Sequence, residues 1–97
     1  MFYIYILEGK DARLYIGYTS DIKKRLKEHN QGLSKSTKPY MSWRLVYYEA
    51  CLEKTDAERR ERYLKTTQGG RLIKRRIKDY LFKKRSASRN FTTGYGN

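Results

Sequence analysis

The sequence predicts an α+β fold, a small three-stranded antiparallel sheet flanked by helices, and three observations carry that prediction. Two β-branched and aromatic runs, Phe2 to Leu7 and Arg13 to Tyr18, enclose the turn residues Glu8-Gly9-Lys10-Asp11-Ala12, which is the pattern of a hairpin. A third such run, Trp43 to Ala50, stands apart from them. Between and after the strands, apolar residues return at helical spacing behind capping residues. With 97 residues the chain has room for one domain with a modest core. Residues 1–85 are expected to form it. Residues 86–97, rich in Ser, Thr, Gly and Asn without an apolar period, are expected to be a disordered polar tail.

Alternation along the hairpin puts Phe2, Ile4, Ile6, Leu14 and Ile16 on one face and Tyr3, Tyr5, Tyr15 and Gly17 on the other. A turn centred on Lys10 would set Tyr5 opposite Tyr15 and Tyr3 opposite Gly17, with room over the bare backbone of that glycine. Thr19 or Ser20 caps the next helix, Asp21 sits at its positive end and Gly32 ends it. On this helix Arg25 and His29 lie four apart and so project side by side. Gln31 to Ser42 is a polar linker, long for so small a domain. In Trp43 to Ala50, Val46 and Tyr48 alternate with Leu45 and Tyr47, so both faces are apolar, as in a central strand. Thr55-Asp56-Ala57-Glu58 fits a capping box for a helix running to about Thr66, where Gln68-Gly69-Gly70 stops it. The inner stripe of that helix is Ala57, Glu61 and Leu64. A carboxylate on a packing face needs either a basic partner or a metal ion. A last helix from Arg71 to about Arg85 turns Ile73, Ile77, Tyr80 and Leu81 inward and Lys74, Arg75, Lys78 and Arg85 outward.

A formal charge of +13 exceeds what solubility needs and points to a polyanionic partner, either nucleic acid or an anionic membrane surface. Lys35 and Lys38 in the linker, with Arg71, Lys74 and Arg75 on the last helix, are the candidates for phosphate contact. One cysteine, Cys51, excludes an internal disulfide and a Cys-based zinc cluster and suits a reducing cytosol. One histidine, His29, excludes a multi-histidine metal site. The opening apolar run lacks a basic lead, a cleavage site and the length of a membrane span, so it is read as the first strand of a cytoplasmic protein. Composition fixes no oligomeric state.

Tyr3-Ile4-Tyr5, Tyr15-Ile16-Gly17, Arg25, His29 and the segment carrying Ala57, Arg60, Glu61, Leu64 and Lys65 together resemble the GIY-YIG nuclease family. The likeness is to its small stand-alone members, related to the catalytic modules of the DNA-repair excinuclease and of intron-encoded homing endonucleases, and it covers about Phe2 to Lys78. It departs at Tyr3, where the family has glycine, at Tyr18, where members often carry lysine, and in the last helix, where the family's asparagine has no clear match. The resemblance implies the same three-stranded fold and hydrolysis of DNA phosphodiesters with one divalent cation, Mg²⁺ or Mn²⁺, in repair, recombination or mobile-element processing. It implies Glu61 as the metal ligand and Arg25 as the stabiliser of charge on the phosphorane oxygens. A tyrosine is the implied general base, Tyr15 first and Tyr5 as its partner or replacement, with His29 as a relay or an orienting group. The absence of an appended recognition domain implies low sequence specificity, dependence on branched or single-stranded DNA structure, or a protein partner. The competing reading is a non-catalytic basic nucleic-acid-binding module on the same fold, whose binding would survive loss of Glu61.

Overall fold

β-branched and aromatic side chains build the expected hairpin, with β1 (Phe2–Glu8) and β2 (Leu14–Thr19) paired antiparallel. The computed structural model describes residues 1–84, so Arg85 and the tail expected at 86–97 lie outside the described residues. The hairpin turn differs from the expectation. It passes through a 3-10 turn at Lys10–Ala12 in which Asp11 and Ala12 take left-handed backbone angles, φ 61 and 58, and Gly9 N–H donates to Arg13 O at 2.8 Å. The turn thus centres on Asp11 rather than Lys10, and Tyr5 faces Gly17, Tyr3 faces Thr19 and Tyr15 faces Leu7. Because the register moves by an even number of residues, every side chain keeps its predicted face.

β3 (Arg44–Cys51) pairs with the other side of β1, giving the strand order β2-β1-β3. The expectation of a central third strand is corrected here: β1 is central and β3 is an edge. Its two-sided apolar pattern comes from a bulge. Tyr48 pairs with Tyr5 and Tyr47 with Ile6, but Leu45 pairs with Leu7, which leaves Val46 as an extra residue. Val46 and Tyr47 therefore both pack on the helical side while Leu45 packs on the opposite one.

α1 (Ile22–Asn30) begins behind Asp21, whose carboxylate accepts from Lys24 N–H at 3.0 Å, and Gly32 leaves it at φ 75. α2 (Lys54–Leu64) already contains Thr55 and starts behind Glu53 without a side-chain cap, so the expected capping box does not form. α3 (Thr67–Arg76) follows at once behind Thr66, whose hydroxyl oxygen accepts from Gly69 N–H at 3.1 Å. Gln68-Gly69-Gly70 thus lies inside α3 rather than terminating α2. A Cβ at Gly69 would stand 2.0 Å from Tyr63 O and 2.5 Å from Leu64 Cα, so this glycine serves the close approach of two helices. α3 breaks at Ile77 (φ −110, ψ 27) and helix α4 continues over 78–84, so the single last helix expected from Arg71 is two helices with an earlier start.

The main core lies between the sheet and the later helices, where Ile4 and Ile6 meet Ala57, Leu64, Ile73 and Ile77. A second, smaller core on the opposite face joins Tyr5, Leu7 and Trp43 to Tyr15, Leu26 and Tyr40 beneath α1 and the linker. Glu8, buried at the end of β1, accepts from the Tyr80 hydroxyl and pairs with Lys84 Nζ at 2.8 Å, which ties α4 to the sheet. No helix among the described residues is long and apolar enough to cross a membrane.

Candidate active site

The tyrosine face of the sheet and the inner side of α1 meet at His29, which is fully buried. Both ring nitrogens are engaged. Nε2 lies 3.0 Å from the Tyr5 hydroxyl and Nδ1 lies 2.8 Å from Thr37 Oγ1. Thr37 Oγ1 donates its own proton to Ser34 O at 3.4 Å, so toward the ring it accepts. The network assigns His29 its Nδ1–H tautomer, and Nε2 then accepts from the Tyr5 O–H. Trp43 Nε1–H donates to Thr37 O at 2.9 Å, while Asn30 holds the Trp43 backbone through Oδ1 at 2.6 Å and Nδ2 at 2.9 Å. The polar linker is thereby stitched into the site instead of lying loose over it.

Electrostatics follow from this burial. Desolvation holds His29 below its ordinary value, and the charge of Arg25 acts in the same direction. Burial pushes the Tyr5 phenol up to about 12, against the pull of the Arg25 guanidinium beside its hydroxyl. Both groups are neutral at pH 7, and the proton they share stays on tyrosine. Gly17 makes this contact sterically feasible, since a Cβ there would stand 2.5 Å from Tyr5 Oη and 2.7 Å from Tyr5 Cζ.

Tyr15 sits two residues before Gly17 on the same face of β2, half-buried. Its ring is edge-on to His29, with centroids 5.0 Å apart, and to Trp43 at 6.1 Å. In contrast to Tyr5, its hydroxyl has no hydrogen-bonding partner among the described residues. Arg25, 34% exposed, pairs with Glu28 at 3.0 Å. Glu61, 14% exposed, has the basic partner its position demands: Lys65 Nζ is 2.6 Å from its carboxylate and 6.0 Å from the Tyr15 ring centroid. Tyr5 lies within the fields of Arg25, Tyr15 and Glu61, so the five candidate side chains share one neighbourhood. Tyr18 donates to Glu58 at 2.9 Å, and that bond pushes its phenol up. No cluster of three or more His, Cys, Asp or Glu side chains stands ready for a metal ion among the described residues. Glu61 instead suits an ion bound through one carboxylate, with its other positions left to water and phosphate.

Lys35, Lys38, Arg71, Lys74 and Arg75 are all exposed. Lys74 lines the cleft beside Tyr15 with Lys65 and Thr66, whereas Lys35 and Lys38 flank Thr37 in the linker. Arg71 and Arg75 lie on α3 and are not brought to that cleft. Sequence reasoning missed Thr37, Trp43 and Asn30 as supports of the site. A hydroxyl-rich linker ending at the single tryptophan was the one signal available, and it does not say which hydroxyl reaches the histidine.

A tyrosine pair on a three-stranded antiparallel sheet, with an arginine and a histidine from the first helix and a glutamate from the second, is the arrangement that the resemblance to the GIY-YIG family leads one to expect, and a catalytic domain of that type implies nuclease activity. The family model of the GIY-YIG catalytic domain matches residues 1–72, and the chain belongs to the GIY-YIG family. Its relatives are UPF0213 proteins. The UPF0213 protein CPE1444 of Clostridium perfringens is 44% identical over 66 residues, which cover 67% of this chain and 71% of that one. The UPF0213 protein SSP2268 of Staphylococcus saprophyticus is 46% identical over 65 residues, covering 66% and 79% respectively. The solution NMR structure of the UPF0213 protein BH0048 from Bacillus halodurans is 36% identical, covers 75% of this chain and 82% of its own, and superposes with a TM-score of 0.48.

Proposed function

We propose that this chain is a DNA endonuclease that hydrolyses a phosphodiester with one divalent cation, and that Tyr15 is its general base. The observation that supports this division of labour is the contrast between two tyrosines on one face. Tyr5 is buried, donates to His29 and is pushed up to about 12, so it keeps its proton. Tyr15 has its hydroxyl free, with Lys65 Nζ 6.0 Å from its ring. A phenol works as a base through its phenoxide, and nearby positive charge is what such an anion needs. Tyr15 removes the proton of the attacking water, while the Tyr5–His29–Thr37 chain holds the site in register. Arg25, whose charge acts on the Tyr5 hydroxyl and which pairs with Glu28, would meet the charge on the phosphorane oxygens. Losing such a contact costs about 3 kcal/mol in the barrier.

Glu61 would hold the divalent cation, Mg²⁺ or Mn²⁺, which supplies Lewis-acid neutralisation at the phosphate. Lys65 Nζ lies 2.6 Å from that carboxylate. Glu58, one turn earlier on α2, is engaged by Tyr18, which favours one ion over two. Lys35, Lys38, Arg71, Lys74 and Arg75 follow the phosphate backbone on a domain spanning 1–85. The protein would act in the cytoplasm, in DNA repair, recombination or mobile-element processing, with DNA structure or a protein partner supplying specificity.

Nicking of supercoiled plasmid in Mg²⁺ or Mn²⁺ tests it. Glu61→Gln and Tyr15→Phe should each lose nicking by about 100-fold or more while still binding DNA. A natural protein that binds plasmid and branched DNA without ever cutting either would instead be the non-catalytic binding module.

A further inference from the structure

Two tyrosines on the catalytic face are not used by the site just described. Tyr3 precedes Tyr5 by two residues on β1, and Tyr48 is the β3 residue directly opposite Tyr5. Their rings meet edge-on with centroids 6.0 Å apart. Strand propensity accounts for tyrosines here, but not for the exposure of Tyr48. Tyr5 is buried on this face, whereas Tyr48 leaves 54% of its surface open. With Leu45 the two rings floor a cleft of about 400 Å³, whose opposite wall is the start of α1, from Ser20 and Asp21 to Ile22 and Lys23.

Charge decides what kind of occupant fits. Asp21 is already committed as the cap of α1, accepting from Lys24 N–H at 3.0 Å. Lys23, Lys24 and Lys27 on the same helix are exposed, and the chain as a whole carries +13. Among the described residues Lys23 is the one cation lining the cleft, and with the charge of the chain around it a second basic copy is repelled and a polyanion attracted. The cleft adjoins the candidate catalytic centre along β1, where Tyr3 and Tyr5 stand two residues apart on one face of the sheet. A strand reaching one passes over the other. Aromatic side chains floor sites for unpaired bases, since every base has a π-face and a duplex covers that face with its own neighbours.

We propose that Tyr3 and Tyr48 form a stacking platform for one unpaired base of the nucleic-acid substrate, with Lys23 holding the adjoining phosphate. The proposal rests on the nucleic-acid reading of the neighbouring site and gives that site its substrate class: DNA that is single-stranded or splayed next to the scissile bond. Base stacking on Tyr48 carries affinity for unpaired strands, and Lys23 carries a share of its salt dependence.

The test is a binding titration of the full chain without divalent cation, so cleavage plays no part in the readout. The probe is a single-stranded oligonucleotide carrying one 2-aminopurine, compared with the same sequence as a duplex. Tyr48→Ala should weaken single-strand binding by about 5- to 100-fold and leave duplex binding within about twofold, while Tyr48→Phe retains the single-strand affinity. Lys23→Gln should lower the salt slope of single-strand binding by about 0.7, and Tyr48→Ala should leave that slope unchanged. Equal weakening of both substrates, no effect on either, or a natural protein that ignores single strands would overturn the platform. So would self-association in solution that Tyr48→Ala abolishes, which would make a second copy the occupant. Tyr48-dependent single-strand binding by a protein that never nicks DNA would sink the nuclease reading and leave the platform standing.

Discussion

Replacing Gly17 by alanine crowds the tyrosine face of the sheet. The new Cβ would stand 2.5 Å from Tyr5 Oη, 2.7 Å from Tyr5 Cζ and 3.1 Å from Tyr15 Cε2. Carbon needs roughly 3.5 Å for ordinary contact, so the Tyr5 phenol must retreat by about 1 Å. Tyr5 is only 2% exposed, with the fully buried His29 against its hydroxyl. Overpacking of this kind costs about 1–3 kcal/mol. The 3.0 Å bond to His29 does not survive a shift of that size, and a buried imidazole left without its partner adds about 1–3 kcal/mol. Urea unfolding followed by circular dichroism should therefore show a loss of about 2–6 kcal/mol. Nicking should slow by about 100-fold, the usual cost of misplacing a catalytic group by an ångström. Tyr5→Phe provides the internal control. It removes the closest clashing atom, so it should cost less in the Gly17→Ala background than in the natural protein. A Gly17→Ala protein within about 0.5 kcal/mol of the natural one, or an equal cost of Tyr5→Phe in both backgrounds, would refute the geometry.

Three further outcomes are expected. Gly69→Ala should destabilise by about 3 kcal/mol or more because its Cβ meets backbone at 2.0 Å, whereas Gly70→Ala, with nothing within 4 Å, should be neutral or slightly stabilising in thermal melts. His29 has a folded-state value below its ordinary 6.5, so the unfolded chain takes up that proton first. Stability should be level above about pH 6.5 and fall as pH drops below it toward the folded value, and His29→Phe should flatten that part of a urea-against-pH profile. Neutralising Lys38, Lys74 and Arg75 together should lower the salt slope of duplex binding by about 0.9 for each phosphate they cease to neutralise, and an unchanged slope would remove them from the phosphate path.

Face assignments were legible in the sequence because alternation has a period of two, and an even shift of register leaves it intact. Tyr5 and Tyr15 therefore share a face with Gly17 as expected, although the turn centres on Asp11. Register was not legible, since it depends on Asp11 and Ala12 taking left-handed angles that non-glycine residues seldom adopt. The place of β3 was hidden because its bulge at Val46 copies the two-sided apolar pattern of a buried strand. A Gly-Gly pair usually means a helix stop, and the steric role of Gly69 appears only when the α2 backbone is beside it. Arg25, His29 and Glu61 were candidates through helical spacing together with resemblance, and they lie near Tyr5 in the structure. Thr37 was not, because contact with His29 Nδ1 depends on the path of a linker that carries no periodic signal.

The central place of β1 governs the order in which this protein can be made. β1 leaves the ribosome before either of its partners, and β2 can zip onto one of its edges once Thr19 has emerged. The other edge waits for a strand that ends at Cys51. Throughout that interval the nascent chain presents the open backbone of Phe2–Glu8 beside Ile4 and Ile6, a ready template for pairing with a neighbouring chain. The stretch of synthesis between Thr19 and Cys51 is thus the vulnerable one. A pause within it would leave that edge open to a neighbouring chain, whereas a pause just after Cys51 would leave only the Ile4 and Ile6 face, which α2 and α3 cover later.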